Sequence, residues 1–163
     1  PVMWKTGHSL IKNKMAELDC KLGGEMSGHI FFADDYFGYD DAIYVGARLI
    51  QMLSKTDKTL SELKSIIPIY HSTPEIRLDA ESDEEKFKIA KLAVEYFKEN
   101  NDCNTIDGVR IQYENGWGLV RASNTQPVIV CRFEGHTPEK MNEIKKIVLD
   151  KLQEFGTLNI SAH

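Results

Sequence analysis

The sequence predicts an α/β region over about residues 1–71, then an antiparallel β-α-β-β-β-α domain over residues 72–156 with two helices on one face of its sheet. Three observations carry this. Strand-like and helix-like segments alternate up to residue 68, as they do in α/β layers. From Ser72 the periodicity changes to one strand, one helix, three strands and a last helix. Between the two, Ile69-Tyr70-His71-Ser72-Thr73 has no periodicity, which places a domain boundary near residues 69–73.

In the first region Val2-Met3-Trp4 reads as a short strand and Lys5-Thr6-Gly7-His8 as a polar turn. Ser9 is placed to cap a helix reaching about residue 18, with Ile11, Met15 and Leu18 on one face. Gly23 and Gly24 break any helix before Ile30-Phe31-Phe32, a buried strand. Asp40 can cap a helix over residues 41–53 that turns Ile43, Ala47 and Ile50 to one side. Thr59-Leu60-Ser61-Glu62 has capping-box spacing for a short helix that Pro68 stops.

In the second region residues 74–80 alternate apolar and polar through Ile76 and Leu78, giving a strand with one exposed face. Ser82-Asp83-Glu84-Glu85 repeats the capping-box spacing. It opens a helix with Phe87, Ala90, Val94 and Phe97 on one side, which Asn100-Asn101-Asp102 ends. Strands follow over residues 108–113, 117–122 and 128–133. The first two are joined at Glu114-Asn115-Gly116, a hairpin signal because Asn-Gly readily takes positive φ. Thr137-Pro138 starts the last helix, whose stripe is Met141, Ile144, Val148 and Leu152 and whose end is Gly156. Residues 157–163 read as a loose tail.

Composition narrows the function classes. The chain has 163 residues, 42% hydrophobic and 28% charged, enough to bury a sizeable core as an ordinary soluble protein. A net charge of −5 argues against nucleic acid as a partner, since such binders carry a basic footprint. No apolar run approaches a membrane span, so no membrane partner is expected. Pro1 stands where an initiator Met would, and no signal-peptide layout follows, which suggests a chain cut from something longer. Cys20, Cys103 and Cys131 form no Cys-x-x-Cys pair. A zinc knuckle is therefore not expected, and reduced cysteines in a cytoplasmic protein are the economical reading.

Two polar clusters carry the chemistry. Arg121-Ala122-Ser123-Asn124-Thr125 lies between two β-like runs and is followed by Pro127. It gathers a guanidinium fork, two hydroxyls and a carboxamide, with short side chains that leave backbone N–H groups accessible. That is the chemistry of a phosphate or carboxylate site. The alternative is an ordinary hairpin bend, since Ser, Asn and Thr favour turns for local reasons. The second cluster is Glu25, Ser27 and His29, at alternate positions among Gly23, Gly24 and Gly28. On an extended backbone these project to one side as acceptor, donor-acceptor and donor, a set suited to vicinal sugar hydroxyls. A metal reading needs Glu25 and His29 one helical turn apart. The glycines oppose a helix there and no third ligand is evident, so no metal site is expected in this chain. The alternative is a solvated glycine-rich connection.

Gly24-Glu25-Met26-Ser27-Gly28-His29 together with Arg121-Ala122-Ser123-Asn124-Thr125-Gln126-Pro127 resembles the phosphomannomutase/phosphoglucomutase branch of the α-D-phosphohexomutases. Trp4-Lys5-Thr6-Gly7-His8-Ser9, Asp107-Gly108-Val109-Arg110 and Gly116-Trp117-Gly118-Leu119-Val120 are similar to the same branch, in the same order, over nearly the whole chain. The resemblance implies a C-terminal fragment of a four-domain enzyme that interconverts hexose 1-phosphate and hexose 6-phosphate through a phosphoserine and a bisphosphate intermediate. It makes residues 1–71 part of the third, sugar-recognition domain and residues 72–156 the fourth, phosphate-binding domain, TBP-like in architecture. It assigns the sugar hydroxyls to Glu25, Ser27 and His29, the non-transferred phosphate to Arg121, Ser123, Asn124 and Thr125, and proton transfer near the reacting oxygen to His8.

The resemblance further implies Mg²⁺ and a glucose 1,6-bisphosphate-type activator in the intact enzyme, with a hexose phosphate and the N-terminal domains of the same protein as partners. This chain has no Asp-Gly-Asp-Gly-Asp run and no phosphoserine motif. By itself it is expected to be inactive, and the exposed edge of its partial domain around residues 2–4 and 30–32 implies dimerisation, disorder or a missing N-terminal partner chain. A non-catalytic sugar-phosphate or anion-binding module is the alternative reading.

Overall fold

The computed structural model describes residues 1–123 and 125–160. It divides into two compact units, Pro1–Pro68 and Ile69–His163.

The first unit opens with α1 (His8–Leu18), followed by strands β1 (Leu22–Gly24) and β2 (Ile30–Phe32), which pair antiparallel with Gly24 opposite Ile30. α2 (Ala42–Leu53) and the short α3 (Leu60–Lys64) complete it. α1 packs closely over the hairpin. A side chain on Gly23 would come within 2.5 Å of the Met15 sulfur, and Met15 and Phe31 are the buried apolar residues of the unit. α3 has the full reciprocal capping box between Thr59 and Glu62, as its spacing predicts.

Four expectations for this unit are corrected. Val2, Met3 and Trp4 form no strand and are largely exposed. A strand needs a hydrogen-bonded ladder with a neighbouring strand, and among the described residues no such ladder includes residues 2–4. The cap of α1 is Gly7, at φ 134°, rather than Ser9. The cap of α2 is Asp41, whose carboxylate accepts the Ile43 and Tyr44 N–H groups at 3.0 Å. Asp40, expected in that role, is left for another. The stripe Ile43-Ala47-Ile50 faces outward, with Ile43 88% exposed. The packed side of α2 instead stacks Tyr44 on Tyr36, ring centroids 3.8 Å apart, and sets Arg48 over Phe32.

The second unit is built from β3 (His71–Ser72), β4 (Ile76–Asp79), α4 (Asp83–Asn100), β5 (Cys103–Asn104), β6 (Val109–Tyr113), β7 (Gly116–Ala122), β8 (Val128–Gly135), α5 (Pro138–Phe155) and β9 (Asn159–Ile160). Its antiparallel sheet runs β5-β6-β7-β8-β4-β9, and β3 also pairs with β8. Both helices pack on one face, as expected. Between them and the sheet lie Ile89, Phe97, Val109, Ile111, Ile129, Phe133, Val148 and Leu152, all at most 1% exposed. Each such side chain contributes about 1.5–3 kcal/mol by leaving water.

Here too local details shift. The buried stripe of α4 is Lys86, Ile89, Ala93 and Phe97, while Phe87 is 54% exposed. The hairpin after β6 turns on Glu114 and Asn115, and neither takes positive φ; Gly116 already pairs with Tyr113 as the first residue of β7. The supposed tail joins the fold. Leu158 is buried in the core and β9 pairs with β4 through Asp79 and Asn159.

Candidate functional site

Each unit carries one of the polar clusters, and the two differ in hydrogen-bonding character. In the first unit residues 25–29 are not an extended strand but the turn of the β1–β2 hairpin. The Glu25 N–H donates to the His29 carbonyl at 2.8 Å, and the Gly28 N–H to the Glu25 carbonyl at 3.0 Å. Gly28 closes the turn at φ 99°, a conformation L side chains rarely adopt. The turn still brings Glu25 and Ser27 together, through a hydrogen bond rather than through alternation.

The Glu25 carboxylate is held at both oxygens. Oε1 accepts the Gly7 N–H at 2.9 Å, tying the hairpin to the start of α1, and Oε2 accepts the Ser27 hydroxyl at 3.1 Å. His8 is the next residue, the first of α1, and is exposed. His29 has its Nδ1 2.5 Å from Asp40 Oδ2, while Asp40 Oδ1 accepts the Ile30 N–H at 3.3 Å.

Asp40 is thus a member of the cluster that sequence reasoning assigned elsewhere. The signal was present as Asp40-Asp41, two acids where a cap needs one. In the tautomer that donates Nδ1–H to Asp40, the His29 ring presents Nε2 as an acceptor. Ser27 has given its proton to Glu25 and presents oxygen lone pairs. The cluster therefore offers three acceptors, not the mixed set expected from the residue types. Each can take an O–H donated by a ligand.

The second unit offers the reverse. Arg121 is the penultimate residue of β7, opposite Val130, half-buried. Among the described residues its guanidinium has no hydrogen-bond or ion-pair partner. Ser123 is buried, and its oxygen accepts the Thr125 and Gln126 N–H groups, both at 3.3 Å. With both lone pairs directed to the backbone, the hydroxyl is left with its proton to donate. The expectation of free backbone N–H groups is corrected accordingly, since these two turn inward to Ser123. Thr125 is exposed. Asn124, expected as a phosphate ligand, lies outside the described residues.

The loop is anchored on both sides. The Ser123 N–H donates to the Val128 carbonyl at 3.0 Å, and the Ala80 N–H to the Pro127 carbonyl at 2.9 Å. Strand alternation puts Arg77, Arg110, Arg121 and Arg132 on the sheet face away from the helices, because their neighbours Leu78, Val109, Ile111, Val120, Cys131 and Phe133 fill the core. Four of the chain's five arginines thus share one face. Arg110 lies over Trp117 at 4.7 Å and Arg77 pairs with Glu75 at 3.0 Å. Arg132 Nε is buried without a hydrogen-bond partner among the described residues.

Among the described residues no three His, Cys, Asp or Glu side chains converge to hold a metal ion. Among these residues the Mg²⁺ implied by the sequence resemblance has no such ligand set. No helix among the described residues is long and apolar enough to cross a membrane.

The fold and clusters define a two-unit protein of mixed α and β structure, with an acceptor-rich polar hairpin in one unit and a donor-rich loop in the other. The family model for phosphoglucomutase/phosphomannomutase, alpha/beta/alpha domain III, matches residues 1–70, and that for the phosphoglucomutase/phosphomannomutase C-terminal domain matches residues 75–151. The chain belongs to the phosphoglucomutase/phosphomannomutase family.

A phosphomannomutase/phosphoglucomutase of Pseudomonas aeruginosa is 47% identical over 94% of this chain and 33% of that protein. A phosphoglucomutase of Neisseria gonorrhoeae is 42% identical over 88% of this chain and 32% of that protein. The crystal structure of a phosphoglucomutase/phosphomannomutase family protein from Burkholderia thailandensis superposes with a TM-score of 0.83 at 39% identity, over 97% of this chain and 34% of that one. The chain thus spans about a third of the length of the relatives it matches.

Proposed function

We propose that this chain is the substrate-recognising part of a phosphohexomutase, an isomerase that interconverts hexose 1-phosphate and hexose 6-phosphate with mannose, glucose or both as the hexose. The observation that carries the reading is the split in hydrogen-bonding character. A hexose phosphate is a row of O–H donors with an acceptor-only anion at one end. The Glu25-Ser27-His29 cluster presents acceptors, and the loop from Arg121 presents a guanidinium with no partner among the described residues and the Ser123 proton. The names of the relatives support the reaction class.

In this reading Arg121, Ser123 and Thr125, with Asn124, hold the phosphate that is not being transferred, and Glu25, Ser27 and His29 accept from neighbouring hydroxyls. Such a set tolerates the substrate in either direction. Any ring hydroxyl can donate to an acceptor, and a terminal phosphate looks the same from C1 or C6. His8, beside the Gly7–Glu25 bond, is the candidate to exchange the proton of that hydroxyl.

The transferred phosphoryl group comes from a phosphoserine outside these 163 residues. The chain alone binds without turnover.

The test is a titration followed by amide NMR. Inorganic phosphate should shift the amides of residues 121–127 and leave 25–29 unmoved. Mannose 1-phosphate or glucose 1-phosphate should shift both sets. Shifts confined to other surfaces, or phosphate-dependent shifts at 25–29 alone, would overturn the assignment.

A further inference from the structure

Lys86 lies in the first turn of α4 and is 2% exposed. Lysine is almost never buried to this degree unless its charge is paired. Its stem continues the apolar stripe of Ile89, Ala93 and Phe97, where a leucine or methionine would satisfy the packing. Its ammonium instead makes two specific bonds, to Asp83 Oδ1 at 2.6 Å and to the Gln126 carbonyl at 2.9 Å, forty positions along the chain. The Phe87 ring lies 4.4 Å from the charge.

The Gln126 carbonyl is a structural node of the anion loop. It also accepts the Val128 N–H at 2.8 Å, at the point where the loop re-enters β8. The N–H of the same residue donates to Ser123 Oγ at 3.3 Å. A hydrogen-bonded path therefore runs from the α4 ammonium to the Gln126 carbonyl, and from the Gln126 N–H to the Ser123 hydroxyl oxygen. We propose that Lys86 is a positioning residue of this loop. Its buried ammonium, steadied by the exposed Asp83 carboxylate, holds the Gln126 carbonyl and so fixes the turn that orients Ser123. The assignment rests on the anion-site reading above and deepens it.

Packing and positioning make opposite forecasts for Lys86→Met, which keeps the stem and removes the charge. Replacing a buried charged group by an apolar one of similar volume is often neutral or stabilising. A residue that only packs would leave phosphate affinity unchanged. A positioning residue loses affinity while the melting temperature holds or rises. The expected result for inorganic phosphate, by calorimetric titration of the full chain, is a dissociation constant raised about tenfold, the scale of one hydrogen bond to a charged donor. Amide exchange at Thr125 and Gln126 should quicken while Val120 and Cys131 stay protected.

Unchanged affinity and unchanged loop exchange in a folded Lys86→Met overturn the proposal. If Lys86→Met does not fold, Asp83→Asn takes its place, because Asp83 is 71% exposed and its loss leaves the core intact. A weaker phosphate affinity in that variant supports the positioning role and an unchanged one overturns it. Wild type and Arg121→Ala are titrated in parallel. If phosphate does not bind wild type, or binds Arg121→Ala equally well, the anion-site reading fails and takes this proposal with it. If both behave as expected and only the Lys86 variant binds normally, this proposal alone fails.

Discussion

Arg121→Ala separates affinity from stability in a way the structure makes quantitative. Among the described residues the Arg121 guanidinium bonds to nothing, so removing it breaks no interaction of the free protein. The folded state should change by no more than about 0.5 kcal/mol, as for a surface substitution away from any network. The bound state should lose at least one charge-assisted hydrogen bond, about 1.5–3 kcal/mol, which raises the dissociation constant roughly 10- to 150-fold. Arg121→Lys should recover part of this, since it restores charge without the planar fork. Calorimetric titration with inorganic phosphate and with mannose 1-phosphate measures the affinity, and a thermal melt on the same samples measures stability. Equal affinity in wild type and Arg121→Ala would refute the reasoning. So would an affinity loss accompanied by a proportionate drop in melting temperature, because Arg121 would then be holding the fold.

Other perturbations address the rest of the molecule. Thr73 is buried, and its hydroxyl accepts the Phe133 N–H at 3.1 Å. Thr73→Val keeps the shape and leaves that donor unsatisfied, so chemical denaturation should show about 1–3 kcal/mol lost. A change within experimental error would show the N–H finding another partner. Asp40→Ala removes the acceptor that orients His29. It should weaken hexose phosphate binding several-fold, on the order of 1 kcal/mol, while inorganic phosphate binds as before. A parallel loss for both ligands would mean the hairpin has collapsed.

Asp41 is held below the ordinary aspartate value of 3.8 by the Tyr36 hydroxyl and then by the backbone N–H groups of α2. Arg48 does the same for Asp34 through the side-chain hydrogen bond between them. For a carboxyl depressed on folding, the stabilisation is present above the unfolded value and disappears as pH falls through the lower folded one. Hydrogen exchange at Ile43 and Tyr44, corrected for intrinsic rates, should therefore show constant protection down to about pH 4 and a loss below it. Protection unchanged to pH 2 would remove the cap from the argument.

Much of the architecture was legible locally. The Thr59, Ser82 and Thr137 caps, the α5 stripe and the strands of the second unit depend on residues within a turn or a strand of one another. Local hydrogen bonds and side-chain periodicity are written directly in sequence. The polar stretch from Arg121 was legible as a loop between two strands for the same reason, since its residues are contiguous. Some of the failures were one-residue shifts. Asp40 and Asp41 are equally good caps until His29 claims one. The α4 stripe could include Phe87 or Lys86, and packing chose the lysine because its ammonium reaches a carbonyl on a distant loop.

The sequence by itself determined the two-part organisation, the helices and their caps, and the two polar stretches with the residue types a sugar and a phosphate require. Only the tertiary structure decided what those residues present to a ligand. Which atoms are free depends on which are already bonded, and those bonds join residues far apart in sequence: Gly7 to Glu25, His29 to Asp40, Lys86 to Gln126. It also decided that Leu158 closes the core and that residues 2–4 form no strand. Burial and strand pairing belong to pairs of segments, and no window of sequence contains both members.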